Sequence, residues 1–119
     1  LSFEGISEVV TEIHNSSNSP FLAVLKLYGK ENNNYLSFPM EGYSLALDFK
    51  IKNGVFDFLD KLDEIIVKYK GRIYLSKDVR MSRSVFEQGY PNAKTFRELR
   101  KKYELNKTFS SLQSQRLGL

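Results

Sequence analysis

Two adjoining stretches, Ser44–Ile51 (SLALDFKI) and Val55–Lys70 (VFDFLDKLDEIIVKYK), carry the clearest structural signals in this chain. The first alternates between apolar and polar residues, which predicts a β-strand with one core face and one more polar face. The second repeats apolar residues at intervals of three and four, which predicts an amphipathic helix. The expected core face of the strand consists of Leu45, Leu47, Phe49 and Ile51, and its opposite face of Ser44, Ala46, Asp48 and Lys50.

The charges along the Val55–Lys70 helix support this interpretation. Acidic residues come early and lysines come late, which complements the helix dipole. Two pairs on the outer side have the favourable i, i+4 spacing, namely Asp57 with Lys61 and Glu64 with Lys68. Gly71 follows the helix, and we expect it to take the left-handed conformation that ends many helices.

Further strands and helices are predicted before and after these two stretches. Phe21–Tyr28 (FLAVLKLY) is a nearly unbroken apolar run, which predicts a strand buried on both faces. Shorter strands are expected at Tyr35–Met40, where Pro39 favours an edge position, and at Arg72–Lys77 (RIYLSK). Further helices are expected at Ser2–Ser16, Arg80–Gln88, Ala93–Tyr103 with Asn92 as its cap, and Phe109–Leu117. This order predicts an α+β fold, a mainly antiparallel sheet with helices packed on one face.

Composition narrows the classes of function. The 119 residues amount to one domain, and nine Phe and seven Tyr are too many large apolar groups for a disordered chain. The absence of Cys excludes disulfides and thiolate metal sites, and a single His excludes a multi-histidine site, so no metal is expected. No membrane-spanning run and no targeting segment is visible. The net charge of +4 permits an anionic partner without requiring one.

Two lysines stand out as candidates for a binding site. Lys26 lies within the apolar Phe21–Tyr28 run, where its ammonium must reach an edge or a polar cavity. Lys77 ends the Arg72–Lys77 strand. Each alone is more typical of a snorkelling or ion-paired lysine. Together with the half-polar face of Ser44–Lys50, they indicate a cationic site on a sheet face that suits an anionic or electron-rich ligand.

Other motifs give weaker signals. There is no phosphate-binding glycine loop, and the paired carboxylates lie on the outer side of the Val55–Lys70 helix. We treat the glycosylation patterns at Asn15–Ser17 and Asn106–Thr108 as chance. The Ala93–Tyr103 helix is basic on its outer face, which favours a solvated surface. The alternatives are a small basic binding module for nucleic acid, although exposed aromatic residues are not expected on it, or a module for a protein partner or oligomerisation.

The sequence also resembles a known family of flavoproteins. Similar stretches occur, in the same order, in the C-terminal part of the decaprenylphosphoryl-ribose oxidases, which belong to the vanillyl-alcohol-oxidase-like flavoproteins together with aldonolactone oxidases. The stretches are Phe21–Gly29, Leu36–Phe49 and Gly71–Arg80, and the likeness continues through Phe86–Pro91 and Phe109–Leu117.

This resemblance implies that residues 1–119 are an incomplete substrate (cap) domain whose N-terminal FAD-binding domain lies outside this chain. The implied reaction is oxidation of a secondary alcohol of a sugar, on a decaprenylphosphoryl-ribose-like or sugar-lactone substrate, by hydride transfer to flavin N5. A partner keto-sugar reductase, a cytoplasmic or inner-membrane-peripheral location and no nucleic-acid ligand are further expectations. The chain alone is expected to be inactive and not to bind FAD tightly.

The resemblance also implies roles for individual residues. Lys77 matches the family's active-site lysine at the flavin pyrimidine edge, so it is both catalytic and cofactor-binding. Tyr74 matches a tyrosine that lines the same pocket and touches both cofactor and substrate. Lys26 and Ser44 match substrate-binding positions, although the family has Asn where Ser44 stands. Ala46 replaces a Cys of some members, and Arg80 matches with a role that could be structural.

Overall fold

The computed structural model describes residues 1–104 and 108–119, so the pattern at Asn106–Thr108 falls partly outside the described residues. Its elements follow the order predicted from the sequence, except that two of the predicted strands do not form. They are α1 (Phe3–Asn15), β1 (Leu22–Tyr28), β2 (Gly42–Asp48), α2 (Val55–Lys68), α3 (Arg83–Gly89), α4 (Ala93–Tyr103) and α5 (Leu112–Leu117), with a 3₁₀ turn at Leu75–Lys77. The predicted α+β class is confirmed.

The sheet is a two-stranded antiparallel ribbon in the described part of the chain. Its register places Lys26 opposite Ser44 and Val24 opposite Ala46. Because side chains alternate along both strands, these four residues share one face with Leu22, Tyr28 and Asp48, and this is the open face of the sheet. The opposite face, which carries Leu45 and Leu47, packs against the helices.

Two separate apolar clusters form the core. In the first, α1 and α2 bury Val9, Phe58 and Leu62 against the helix-facing side of β2. Phe49 extends this contact, since its ring meets Phe58 edge to face at 6.0 Å between centroids. The second cluster joins α3, α4 and α5 and consists of Met81, Phe86, Tyr90, Ala93 and Leu117.

Burial of the Tyr90 ring in the second cluster raises the pKa of its hydroxyl to about 12. This hydroxyl donates a hydrogen bond of 2.7 Å to the carbonyl of Ile73. The hydroxyl therefore remains a neutral donor throughout the ordinary pH range.

The middle of α1 and the end of α2 meet through polar groups. Lys68 donates to both carboxylate oxygens of Glu8, at 2.8 and 2.7 Å, and the Tyr69 hydroxyl donates to Glu8 at 2.7 Å. The hydrogen bond from Lys68, followed by that from Tyr69, lowers the pKa of Glu8. Lys68 thus bonds the neighbouring helix, whereas the sequence spacing suggested Glu64 as its partner.

The burial predicted for Phe21–Tyr28 is wrong, although the strand itself forms. β1 has a neighbour on one side only, and the helices cover β2 rather than β1. As a result, Leu25 is 56% exposed and Leu27 is 73% exposed on the helix-facing side. Ile51 is also exposed, because β2 ends at Asp48 before the alternation reaches it.

Neither Tyr35–Met40 nor Arg72–Lys77 forms the predicted strand. Tyr35–Met40 contains a turn followed by residues without regular secondary structure, consistent with Pro39, which has no N–H for a ladder. In Arg72–Lys77 the carbonyls of Ile73 and Leu75 accept hydrogen bonds from the side chains of Tyr90 and Gln113. Side chains from other elements therefore satisfy this backbone where a strand partner was expected.

The left-handed residue at the end of α2 is Lys70, with φ of 54°, and not Gly71 as predicted. The N–H of Lys70 bonds the carbonyl of Val67 and that of Gly71 bonds Ile66, both at 2.8 Å, which is the Schellman arrangement. Gly71 is required for a different reason. A Cβ there would lie 2.9 Å from Cγ2 and 3.1 Å from the carbonyl oxygen of Ile66, besides 2.5 Å from Cδ2 of Leu1, so a larger residue would force its neighbours to shift.

Leu1 pairs with the second edge of β2. Its amino group donates to the carbonyl of Tyr43 at 2.7 Å, and its carbonyl accepts from the N–H of Tyr43 at 2.8 Å. This exchange of two bonds is that of a hydrogen-bonded antiparallel pair. Since backbone direction alternates along a strand, Leu45 and Leu47 also direct their N–H and C=O groups toward this edge, away from β1.

This geometry predicts an alternation in amide hydrogen exchange along β2. The amides of Ser44 and Ala46 point to β1 and should exchange slowly, although their side chains lie on the open face. Those of Leu45 and Leu47 should exchange faster, although their side chains contact the core. Residue-resolved exchange measured by NMR checks this, and slow exchange at Leu45 and Leu47 would contradict the edge assignment.

Candidate functional site

Lys26 and Ser44 lie at the centre of the open face. They are directly opposite each other in the β1–β2 register, which places their side chains next to each other on that face. Lys26 is exposed and Ser44 is half-buried. Within the described residues, neither the Lys26 ammonium nor the Ser44 hydroxyl has a hydrogen-bond partner, so both groups are free to bind a ligand. The flanking Val24 and Ala46 supply an apolar wall.

An aromatic row runs from the open face to the segment that follows α2. It consists of Tyr28, Phe38 and Tyr74. The Tyr28 and Phe38 rings meet edge to face at 6.1 Å, and the Phe38 and Tyr74 rings lie 5.0 Å apart at 54°. Tyr28 is two residues beyond Lys26 on the same face, so the row brings Tyr74 to the end of the sheet near the Lys26–Ser44 pair.

Lys77 lies on the 3₁₀ turn directly after Tyr74. The N–H of Lys77 bonds the carbonyl of Tyr74 at 3.2 Å, and the N–H of Asp78 bonds that of Leu75 at 3.3 Å. The side chain of Lys77 is exposed, and its ammonium has no partner among the described residues. The structure therefore places an unpaired cation on a hydrogen-bonded turn that begins at the aromatic row. The described residues show no direct contact between Lys77 and Lys26. The aromatic row joins Tyr74, which precedes the Lys77 turn, to Tyr28, which lies on the same face as Lys26.

Arg80 belongs to the scaffold of this region. Its guanidinium makes a bidentate ion pair with Asp63 on α2, at 2.7 and 2.6 Å, and also bonds Asp60 at 2.5 Å. A further bond of 3.0 Å reaches the carbonyl of Leu59. Asp63 is only 3% exposed, and its burial raises the pKa of the carboxyl while Arg80 opposes that effect. The pair fixes the chain just after Lys77 to α2.

The cavity that Ser44 helps to line is small and partly open. It has a volume of about 90 Å³, and Tyr28 and Phe38 line it together with core residues such as Val9 and Leu62. Ligand pockets usually enclose roughly 300–1,000 Å³. A ligand of that size would therefore have to rest on the open side of the sheet, with other walls supplied from elsewhere. A wider open depression of about 610 Å³, lined by Phe96, Tyr103 and Phe109 among others, contains none of the candidate site residues.

Two arginines of the basic helix α4 form ion pairs with glutamates of this chain. Arg97 pairs with Glu87 and donates to the carbonyl of Gly118 at 2.6 Å, and Arg100 pairs with Glu104 at 2.6 Å. Lys94, Lys101 and Lys102 remain exposed. Contrary to expectation, an aromatic residue is exposed here, since Tyr103 is 75% accessible with the Lys102 ammonium 5.2 Å from its ring centroid.

Residues 1–104 and 108–119 contain neither a metal-site cluster nor a membrane-spanning helix. No three metal-ligating side chains converge there. Within the same ranges, no helix combines the length and the apolar character needed to cross a bilayer.

Comparison with known proteins relates this chain to part of an oxidase. One relative is decaprenylphosphoryl-β-D-ribose oxidase of Mycolicibacterium smegmatis. It is 33% identical over 116 residues, which are 98% of this chain and 25% of that oxidase. An uncharacterized protein in the mprA 5′ region of Streptomyces coelicolor is 35% identical over 97 residues, or 81% of this chain and 26% of that protein. No protein-family model matches the chain.

The resemblance to the decaprenylphosphoryl-ribose oxidases that the sequence indicated is thus confirmed over nearly the whole chain. The chain spans about a quarter of the length of the relatives it matches. Two relevant features carried no clear sequence signal. Phe38 completes the aromatic row, and the buried Asp63 binds Arg80, yet Asp63 belongs to a helix whose acidic residues are typical of a surface.

The free energy of unfolding should distinguish the ion-paired Arg80 from the unpaired Lys77. Replacing Arg80 with Met leaves a buried, unpaired carboxylate on Asp63, which should lower the free energy of unfolding by about 3–5 kcal/mol at neutral pH. The control Lys77→Met removes an exposed, unpaired cation and should change it by less than about 0.5 kcal/mol. Chemical denaturation of both variants measures the difference, and equal effects would contradict the structural role of Arg80.

The loss in Arg80→Met should also depend on pH. Without Arg80, burial holds the pKa of Asp63 in the folded state above its unfolded value. A carboxyl shifted in this direction favours the folded state when protonated, and that contribution is lost as the pH rises through the folded pKa. The deficit relative to the parent chain should therefore be smaller near pH 4 than near pH 7, whereas a deficit independent of pH would argue against a buried charge at Asp63.

Proposed function

We propose that this chain forms the substrate-binding part of an FAD-dependent oxidoreductase that oxidises a secondary alcohol of a sugar. The substrate class is a decaprenylphosphoryl-ribose-like sugar or a sugar lactone. Similarity to an oxidase named for decaprenylphosphoryl-β-D-ribose, over 98% of this chain, is the main support. The structural observation that carries the proposal is the Lys77 cation, unpartnered among the described residues, on the turn that begins at Tyr74. Tyr74 belongs to the aromatic row that reaches Tyr28, on the face that bears Lys26 and Ser44.

The residues of this region fit the ring end of the cofactor. Lys77 offers a free ammonium and Tyr74 an exposed aromatic ring, and together they would hold the pyrimidine side of the flavin. The sequence offers no glycine-rich phosphate loop. The adenine and pyrophosphate would therefore be held by an N-terminal FAD-binding domain outside residues 1–119.

When bound, FAD supplies the hydride acceptor for oxidation of the alcohol. Lys77 would stabilise the negative charge that develops on the pyrimidine side, because a preorganised cation lowers the energy of a charge formed during the reaction. Lys26 would donate to sugar hydroxyl or phosphate oxygens, and Ser44 would orient a hydroxyl from the facing strand. Ser44 is shorter than the Asn of the family, so this bond would require closer approach of the sugar.

The wider setting follows from the same proposal. The product of the reaction is a keto-sugar, and for a lipid-linked substrate a partner keto-sugar reductase would consume it. Such an enzyme would work in the cytoplasm or at the periphery of the inner membrane, where a lipid-linked sugar is accessible.

A second function is favoured by α4, which carries three exposed lysines and the exposed Tyr103 ring, with the Lys102 ammonium 5.2 Å from the ring centroid. This arrangement suits a small basic module that binds nucleic acid, with base stacking on the tyrosine. Such binding would weaken steeply with salt. The oxidoreductase proposal requires no nucleic acid, so fluorescence anisotropy with a single-stranded oligonucleotide at two salt concentrations separates the two functions.

The role of Lys77 is tested in the full-length, FAD-loaded enzyme. Lys77→Met should slow flavin reduction by substrate by about 10²–10³-fold, since it removes one electrostatic stabiliser of the developing charge. Anaerobic stopped-flow spectroscopy measures this rate. Lys61→Met, which removes an exposed lysine from α2, is the matched control and should reduce its flavin at the parent rate. An unchanged rate in Lys77→Met would refute the assigned role.

The division of FAD binding between two parts predicts a simple titration result. The 119-residue chain should not quench flavin fluorescence at micromolar concentrations, because it would contact only the ring end of FAD. The full-length protein should bind FAD tightly under the same conditions. Tight binding by the 119 residues alone would contradict the proposed division.

A further inference from the structure

We propose that Gln113 and Arg116 on α5 are positioning residues that fix the turn bearing Lys77. This inference rests on the proposed function, because it concerns the placement of the Lys77 ammonium beside the flavin. A 3₁₀ turn of three residues has little rigidity of its own, whereas a catalytic group must be held to within roughly 0.5 Å. The required rigidity must come from neighbouring elements.

Gln113 holds the turn on both sides of Lys77. Its side-chain Nε2 donates to the carbonyl of Leu75, where the turn begins, at 2.6 Å, and to the carbonyl of Asp78, directly after Lys77, at 3.3 Å. One amide group therefore connects the two ends of the turn. The Lys77 side chain takes no part in this contact and stays free.

Arg116 fixes the chain one step further on. Its guanidinium pairs with the carboxylate of Asp78 and donates to the carbonyl of Val79 at 2.6 Å. The Asp78 side chain is only 2% exposed, and its other oxygen accepts from the N–H groups of Arg80 at 3.0 Å and Met81 at 2.7 Å. The carboxylate thus joins α5 to the backbone that leads into α3.

Helix α5 is itself held firmly. Leu117 is fully buried in the second apolar cluster, and Ser111 and Ser114 form a reciprocal capping box at the start of the helix. Arg97 of α4 bonds the carbonyl of Gly118 just after its end. Through Gln113 and Arg116, the rigidity of the second cluster extends to the turn that carries Lys77.

The test compares two glutamines on the same helix. Gln113→Met keeps the length of the side chain and removes its donor. The control Gln115→Met removes an amide whose one partner in the described part of the chain is the Ser110 hydroxyl, at 3.0 Å. In the full-length, FAD-loaded enzyme, Gln113→Met should lower the flavin reduction rate at least about tenfold. It should also shift the flavin midpoint potential in the same direction as Lys77→Met. Gln115→Met should match the parent enzyme in both measurements.

A double variant shows whether Gln113 acts through Lys77. If it does, Lys77→Met combined with Gln113→Met should reduce its flavin no more slowly than Lys77→Met alone. A merely structural role would give multiplicative losses and would overturn the inference. Arg116→Lys, which keeps the charge beside Asp78 but loses the planar fork, should reproduce the potential shift of Gln113→Met.

The chain alone provides a readout that does not involve flavin. Amide exchange at Lys77 and Asp78 should accelerate in Gln113→Met and not in Gln115→Met, with little change in melting temperature. If Lys77→Met alters the rate and potential but Gln113→Met alters neither, only the positioning role fails. If Lys77→Met itself has no effect, the proposed function fails as well, so the two failures are distinguishable.

Discussion

The bidentate ion pair between Arg80 and Asp63 is the contact on which the arrangement of the candidate site depends. It connects α2, which belongs to the first apolar cluster, with the segment that leads into the second cluster. Breaking one partner of a buried pair is costly because the other charge stays buried without compensation. The pair therefore ties the segment just after the Lys77 turn to α2, while Tyr74 at the start of that turn contacts Phe38, which in turn contacts Tyr28.

The sequence predicts best where the physical cause is local. The alternation in Ser44–Ile51 and the helical repeat in Val55–Lys70 each reflect one face buried along a regular element, so β2 and α2 form where expected. The burial of β1 depends instead on how many strands and helices lie beside it, which an apolar run does not reveal. Arg72–Lys77 has strand-like composition, but Tyr90 and Gln113 satisfy its carbonyls from distant parts of the chain.

The same distinction applies to the candidate site. The pairing of Lys26 with Ser44 follows from two strands in antiparallel register, and their side chains lie on the half-polar face that the alternation predicted. Tyr74 is linked to the sheet by Phe38, which contacts both Tyr74 and Tyr28 and lies in a segment that was predicted as a strand. The supports of Lys77 are charged or amide side chains on α2 and α5. Sequence alone does not distinguish such residues from exposed polar ones, because their partners are between 17 and 38 residues away.

The exposure of β1 and the free lysines have one physical explanation. An edge strand with exposed apolar residues on both faces is a liability for a protein surface, and natural proteins usually cover or charge such strands. Here the apolar side chains adjoin Lys26, a half-buried Ser44 and a cavity too small to enclose a ligand. A second protein surface placed over the open face would bury Leu22 and Val24 and enclose Lys26 and Ser44, whereas Leu25 and Leu27 lie on the opposite face. That arrangement would convert an exposed sheet into the wall of a site shared between two domains, which is the division that the proposed function requires.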